Sequence, residues 1–168
     1  MNMNKNDISR LWDELTPKLF GYLVNTLHDK SLAEDILQTS WLKAIEALPS
    51  FKQQGPFFSN SFSSWIFAIA RNECKQHWRK SGREIPLDEK IHDVAEVSSG
   101  IENKILVDEI LNQLPNDDQE LIRLRYIADL STREIAKVLN INPVVARVRL
   151  HRAIVLARKC LVRGVTQK

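Results

Sequence analysis

The segment from Ser131 to Pro143 constrains this chain more than any other. Ser131 and Glu134 have the S-x-x-E spacing of a capping box, which opens a helix by satisfying backbone donors reciprocally. That helix runs to Leu139 and stops at Asn140, a residue type that enters the left-handed region with little strain. Asn142 can cap a following helix with Pro143 in its first position, where a missing N–H is no loss. The second helix is expected to run on toward Val162. Two helices joined by a three-residue turn, the second longer and basic, make a helix-turn-helix.

Charge along the chain says more than its total. The 24 Lys and Arg against 21 Asp and Glu leave a net charge of only +3. After Glu134, however, no acidic residue follows, whereas Lys137, Arg147, Arg149, Arg152, Arg158, Lys159, Arg163 and Lys168 do. That end is a concentrated positive field, suited to a polyanion. A second basic run lies at Arg71, Lys75, Arg79, Lys80 and Arg83, and between the two the segment 84–109 is acidic (Glu84, Asp88, Glu89, Asp93, Glu96, Glu102, Asp108, Glu109).

The rest of the chain reads as helix. Apolar residues recur at three and four through Leu11, Leu15, Leu19, Leu23 and Leu27, then through Ile36, Leu37, Trp41, Ile45 and Leu48, with a break at 29–33. A polar stretch at 52–61 precedes renewed periodicity through Phe62, Ile66, Ile69, Ala70 and His77. No strand alternation of useful length occurs, so the fold is expected to be all-α. Two small helical domains are expected, 1–83 and 101–168, joined by a flexible acidic linker at 84–100.

The function classes narrow accordingly. Cys74 and Cys160 form no C-x-x-C pair, four dispersed histidines make no metal site, and no nucleophile with a base or Gly-rich phosphate loop is evident. No catalytic residue, metal or cofactor is expected. The absence of a signal-like apolar run or a membrane-length span gives a cytoplasmic expectation, with no membrane insertion.

Two constellations point to nucleic acid. In the last helix Ala146, Leu150, Ala153 and Ala157 should face the helix beneath, leaving Arg147, Val148, Arg149, His151 and Arg152 outward, as a major-groove helix requires. A merely solvated basic face is the alternative, but here turn, caps and charge coincide. The stretch FSSWIFAIARNECKQHWRKSGR interleaves cations with Trp65, Phe67, His77 and Trp78. Cations track phosphates and aromatic faces stack unpaired bases, although core packing equally accounts for Trp65 and Phe67. A duplex-reading module at one end and a single-strand surface at the other suggest strand opening.

Three collinear pieces carry a resemblance to the extracytoplasmic-function sigma factors of bacterial RNA polymerase. SLAEDILQTSWLKAIEALPSF resembles their polymerase-binding helix, FSSWIFAIARNECKQHWRK their promoter-melting and −10-reading helix, and LPNDDQELIRLRYIADLSTREIAKVLNI with VRLHRAIVLAR their −35-reading domain. The resemblance implies a sigma factor that binds core polymerase and directs promoter-specific initiation. It implies that Asp35, Gln38 and Trp41 grip the β′ coiled-coil helices, with the β subunit a further contact. Asn72 would lie next to the flipped −10 base, with Arg71, Lys75, Trp78 and Arg79 on the melted strand. The −35 duplex would meet Arg147, Val148, Arg149, His151 and Arg152, and an anti-sigma factor or other protein is the expected regulator.

Several positions depart from the family pattern. The loop from Phe51 to Trp65 is longer than usual, Thr39 and Gln76 stand where acids are common, and Val144, Val145, Ala146, Arg147, Val148 and Arg149 replace a typical Gly-Thr-Val-Lys-Ser-Arg run. Hydroxyls have become aliphatic there. A repressor or activator working without polymerase is the competing reading, but a one-domain regulator needs neither the 33–51 segment nor the Trp-rich basic helix.

Overall fold

A computed structural model describes residues 5–51, 58–82 and 108–165. The expected linker at 84–100 and residues 52–57 of the polar stretch lie outside the described residues, whereas 58–61, expected to interrupt the helices, already form the first turn of one. All regular structure among the described residues is helical.

Helix α1 (Lys5–Leu27) ends where His28 takes a positive φ of 53°, and Asp29 caps α2 (Lys30–Ala47) by accepting from the Leu32 N–H at 2.9 Å. A 3₁₀ turn (Leu48–Ser50) follows α2, and α3 is Phe58–Lys80. These three helices bury Leu11, Leu15, Leu19, Tyr22, Leu23, Ala33, Ile36, Trp41, Ala44, Phe62, Ile66, Phe67, Ala70 and Cys74 against one another. The three-and-four apolar series is thereby realised with one exception. Ile45, expected on the buried stripe, is 47% exposed, because Ala44 takes the inward position and one residue along turns the side chain by about 100°.

The second half begins with a helical segment at 108–112, then α4 (Asn116–Ile122), which passes directly into a π-helical turn (Arg123–Ile127). The wider turn closes with the Ala128 N–H donating to the Arg123 carbonyl at 3.0 Å. Helix α5 (Thr132–Leu139) opens with the expected capping box: the Glu134 N–H donates to Ser131 Oγ, and the Ser131 N–H donates to the Glu134 carboxylate at 2.8 Å. Asn140 ends it at φ 52°, ψ 49°. Asn142 Oδ1 accepts from the Val144 N–H at 2.8 Å and starts α6 (Pro143–Val165). Ala146 and Ala153 are fully buried and Leu150 nearly so, seating α6 on α4 and α5. The helix-turn-helix is formed as its punctuation requires.

The two halves pack together. Helix α5 lies against α3, and the π turn lies against α1, so Leu121, Leu124, Ala128, Leu130, Ile135 and Val138 join the same apolar cluster as the first three helices. Gly21 lies at this contact, where a Cβ would stand 3.4 Å from Ile127 Cγ2, an ordinary contact distance. Around this contact runs a polar seam. Arg123 donates to Asn25 Oδ1 and Gln119 Oε1, each at 2.8 Å, Asn25 donates to Asp108 at 3.1 Å, and Lys18 pairs with Asp129 at 3.2 Å.

Candidate nucleic-acid interface

Helix α2 divides cleanly by burial. Ala33, Ile36, Ser40, Trp41 and Ala44 face inward, and Asp35, Gln38, Leu42 and Ile45 are exposed. Spacings of three and four put these last four on one stripe. Trp41 therefore corrects an expectation: it is 1% exposed, with its ring 4.6 Å from Trp12 and 6.0 Å from Phe62, and it lies in the core instead of on a binding surface. Its spacing from Ala33 and Ala44 fixes it on the packed face. Periodicity alone took the exposed Ile45 for a core residue, and it did not single out Leu42, which is 61% exposed.

Helix α3 sorts its basic and aromatic residues the same way. Asn72 and Arg79 are exposed and Lys75 is partly so, at positions i, i+3 and i+7 of one face. Trp78 is partly buried against the core, and Trp65 packs on Phe51 and Phe62 with ring centroids 4.6 and 5.5 Å apart, so packing accounts for both indoles here. Phe67 is fully buried.

Arg71 is turned toward the second half. Its Nε donates to Glu120 Oε1 at 2.6 Å and its Nη2 to Oε2 at 3.2 Å. The Tyr22 hydroxyl donates to the same carboxylate at 3.2 Å. Burial works against the Arg71 charge, but the hydrogen bond and field of Glu120 outweigh it and raise the guanidinium pKa. Burial, reinforced by Glu120, pushes the Tyr22 phenol well above its usual 10.0 and the Cys74 thiol up to about 12. Desolvation lowers the Arg123 pKa, with Tyr22, Glu120 and Asp108 pulling the other way. Near pH 7 Tyr22 and Cys74 are therefore neutral and the two arginines are cations, Arg71 and Tyr22 meeting on Glu120 and Arg123 held by Asn25 and Gln119.

On α6, Arg147, Val148, Arg149, His151 and Arg152 are all exposed, together with Val144 and Val145. The buried Ala146, Leu150 and Ala153 leave them the outward side of the second helix of the helix-turn-helix, the side that enters a major groove in proteins of this kind.

The comparisons with known proteins agree with this arrangement. The pattern of sigma-70 region 2 matches residues 11–84, and that of sigma-70 region 4 matches 104–155. The chain is 30% identical over 152 residues to the RNA polymerase sigma-H factor of Pseudomonas aeruginosa, covering 81% of this chain and 76% of that protein. The chain belongs to the extracytoplasmic-function sigma factors. This sigma factor is also 23% identical over 167 residues to the ECF RNA polymerase sigma factor SigM of Bacillus subtilis, covering 96% of this chain and 99% of that one. Its fold matches the sigma factor RpoE of Bartonella quintana, solved in complex with the anti-sigma factor NepR, with a TM-score of 0.69, 23% identity and coverage of 93% and 97%. As a sigma factor it directs promoter-specific transcription initiation by RNA polymerase. Among the described residues no helix is long and apolar enough to cross a membrane.

Proposed function

We propose that this sigma factor distributes its work over three surfaces: a polymerase-binding stripe on α2, a −10 strand face on α3 and a −35 duplex face on α6. The reading assigns residues 1–83 to polymerase binding and −10 melting, 84–100 to a linker and 101–168 to −35 recognition. It rests above all on one observation, that Asn72, Lys75 and Arg79 share an open face of α3 while Arg147, Val148, Arg149, His151 and Arg152 share the outward face of α6. One chain thus presents a single-strand-type surface and a duplex-type surface, each carrying cations and each backed by a packed core.

On α2, Asp35 and Gln38 meet the β′ helices of core polymerase, with Leu42 and Ile45 supplying apolar area beside them. Trp41 acts from below, by holding α2 in place. Arg71 reaches DNA only after the halves part, since Glu120 holds its guanidinium when they are packed. Trp78 reaches it by a rotamer change or remains a packing residue. The factor acts by binding alone, in the cytoplasm, and is itself restrained by an anti-sigma protein, as the Bartonella quintana relative is bound by one.

Run-off transcription with core polymerase on genomic fragments tests the reading. Defined start sites should appear with the wild type and disappear with Asp35→Lys/Gln38→Ala. Alanine at Asn72, Lys75 and Arg79 should lower permanganate reactivity of promoter thymines more than it lowers closed-complex formation. Undiminished transcription by both folded variants would remove these faces from the mechanism.

A further inference from the structure

The outward face of α6 has an order that its composition does not reveal. An α-helix turns about 100° per residue. Measured from Val148, the buried Ala146, Leu150 and Ala153 lie about 160°, 160° and 140° away, so Val148 is at the centre of the outward face. Val144 and Val145 flank it at about 40° and 60° on opposite sides, and Arg147 and Arg149 are about 100° away at the two margins. Over the first three turns Arg152 is the cation near the middle, about 40° off and one turn further along than Val148. Val144, Val145 and Val148 are 69%, 41% and 51% exposed. Over the first two turns the centre of the face is aliphatic, and the cations Arg147 and Arg149 form its edges.

Position along the helix agrees with position around it. A recognition helix touches base edges mainly with its N-terminal residues. Val144, Val145 and Val148 occupy the first two turns after Pro143, fixed at their start by the Asn142 cap. An aliphatic side chain pressed into the major groove leaves base donors and acceptors without partners. The base-edge group there that favours alkyl contact over water is the thymine C5-methyl.

We propose that Val148, with Val144 and Val145, is the specificity-determining element of this sigma factor for duplex DNA, and that it selects thymine methyl groups. Arg147 and Arg149 clamp the phosphates on either side of the groove. Arg152 is the candidate for a bidentate pair with a guanine next to the thymines. The marginal arginines supply the charge complementarity that makes DNA, and not an apolar protein helix, the occupant of the valine face. The inference rests on the −35 assignment of α6 made above.

The test uses holoenzyme assembled from full-length protein and core polymerase. Promoters with a randomised −35 region are enriched by binding, and deoxyuridine then replaces each thymine of the enriched element, removing only the methyl. The expected element contains thymines, and each methyl removed from a contacted thymine weakens binding about four-fold. Val148→Ser, an exposed change that leaves the core intact, should bind the thymine and deoxyuridine promoters alike. Enrichment of a thymine-free element, or equal binding of both promoters by the wild type, would overturn the inference while leaving the −35 assignment standing, and would make the valines a face for protein. An equal methyl effect in Val148→Ser would also overturn it, by placing the methyl contact elsewhere. Binding indifferent to the whole −35 region would overturn the −35 assignment, and this inference with it.

Discussion

Glu120 accepts both hydrogen bonds of the Arg71 guanidinium, at 2.6 and 3.2 Å, and so joins α3 of region 2 to α4 of the helix-turn-helix half. The two side chains are 20% and 22% exposed, which leaves the pair only partly screened by water. Glu120→Gln keeps the shape and removes the charge. It should lower stability by about 1–3 kcal/mol in urea unfolding, since Tyr22 also loses a charged acceptor. The free variant should in addition bind a single-stranded oligonucleotide more tightly than the wild type, because Arg71 is released. Equal affinity would show that Glu120 and nucleic acid do not compete for this arginine.

Trp41 and its neighbours on α2 separate folding from binding. Trp41→Ala empties a fully packed site beneath Trp12 and should cost about 3–5 kcal/mol, reduced somewhat because the indole Nε1 is buried without a hydrogen-bond partner. Leu42→Ala with Ile45→Ala changes exposed side chains and should move stability by no more than about 0.5 kcal/mol each. Core-polymerase pull-down should nevertheless fail with that double variant. A retained pull-down at unchanged stability would take both aliphatic residues out of the interface.

The cysteines should differ sharply in reactivity. Cys74 is buried and burial drives its thiol pKa to about 12, so almost no thiolate exists near pH 8. Cys160, on α6, is half-buried. Iodoacetamide at pH 8 should label Cys160 within minutes and Cys74 only when the chain unfolds, as read by mass spectrometry. Rapid labelling of Cys74 would mean that the two halves part readily in the free protein.

His28 makes the fold acid-sensitive. Burial, reinforced by Arg123 and opposed by Asp108, holds its pKa below the ordinary 6.5, so the folded state keeps the imidazole neutral. Well above pH 6.5 neither state binds the proton and His28 contributes no pH dependence. As pH falls below that value the unfolded chain takes up the proton first, and stability is lost progressively toward the depressed pKa. His28→Asn suits the φ of 53° and removes the titration. Its urea midpoint should fall less between pH 7 and pH 5 than that of the wild type. Parallel curves would assign the acid sensitivity to other groups.

Local signals were enough for the helices and their ends. The capping box at Ser131 and Glu134, the left-handed Asn140 and the Asn142 cap are decided by residues within four positions of one another, so the sequence by itself determined the helix-turn-helix. Three-and-four periodicity likewise placed Leu11, Leu15, Leu19, Ile36 and Trp41 on apolar stripes. It did not separate Trp41, which is buried, from Ile45, which is exposed, because a helix buries only as much of its stripe as its neighbours cover. The pairing of Arg71 with Glu120, across 49 residues, had no local signature at all. Nor did the contact of α5 with α3 that sets Arg71 apart from Asn72, Lys75 and Arg79. Those were decided by tertiary structure alone, since a charged side chain takes whichever opposite charge the packing of distant helices brings within hydrogen-bond reach.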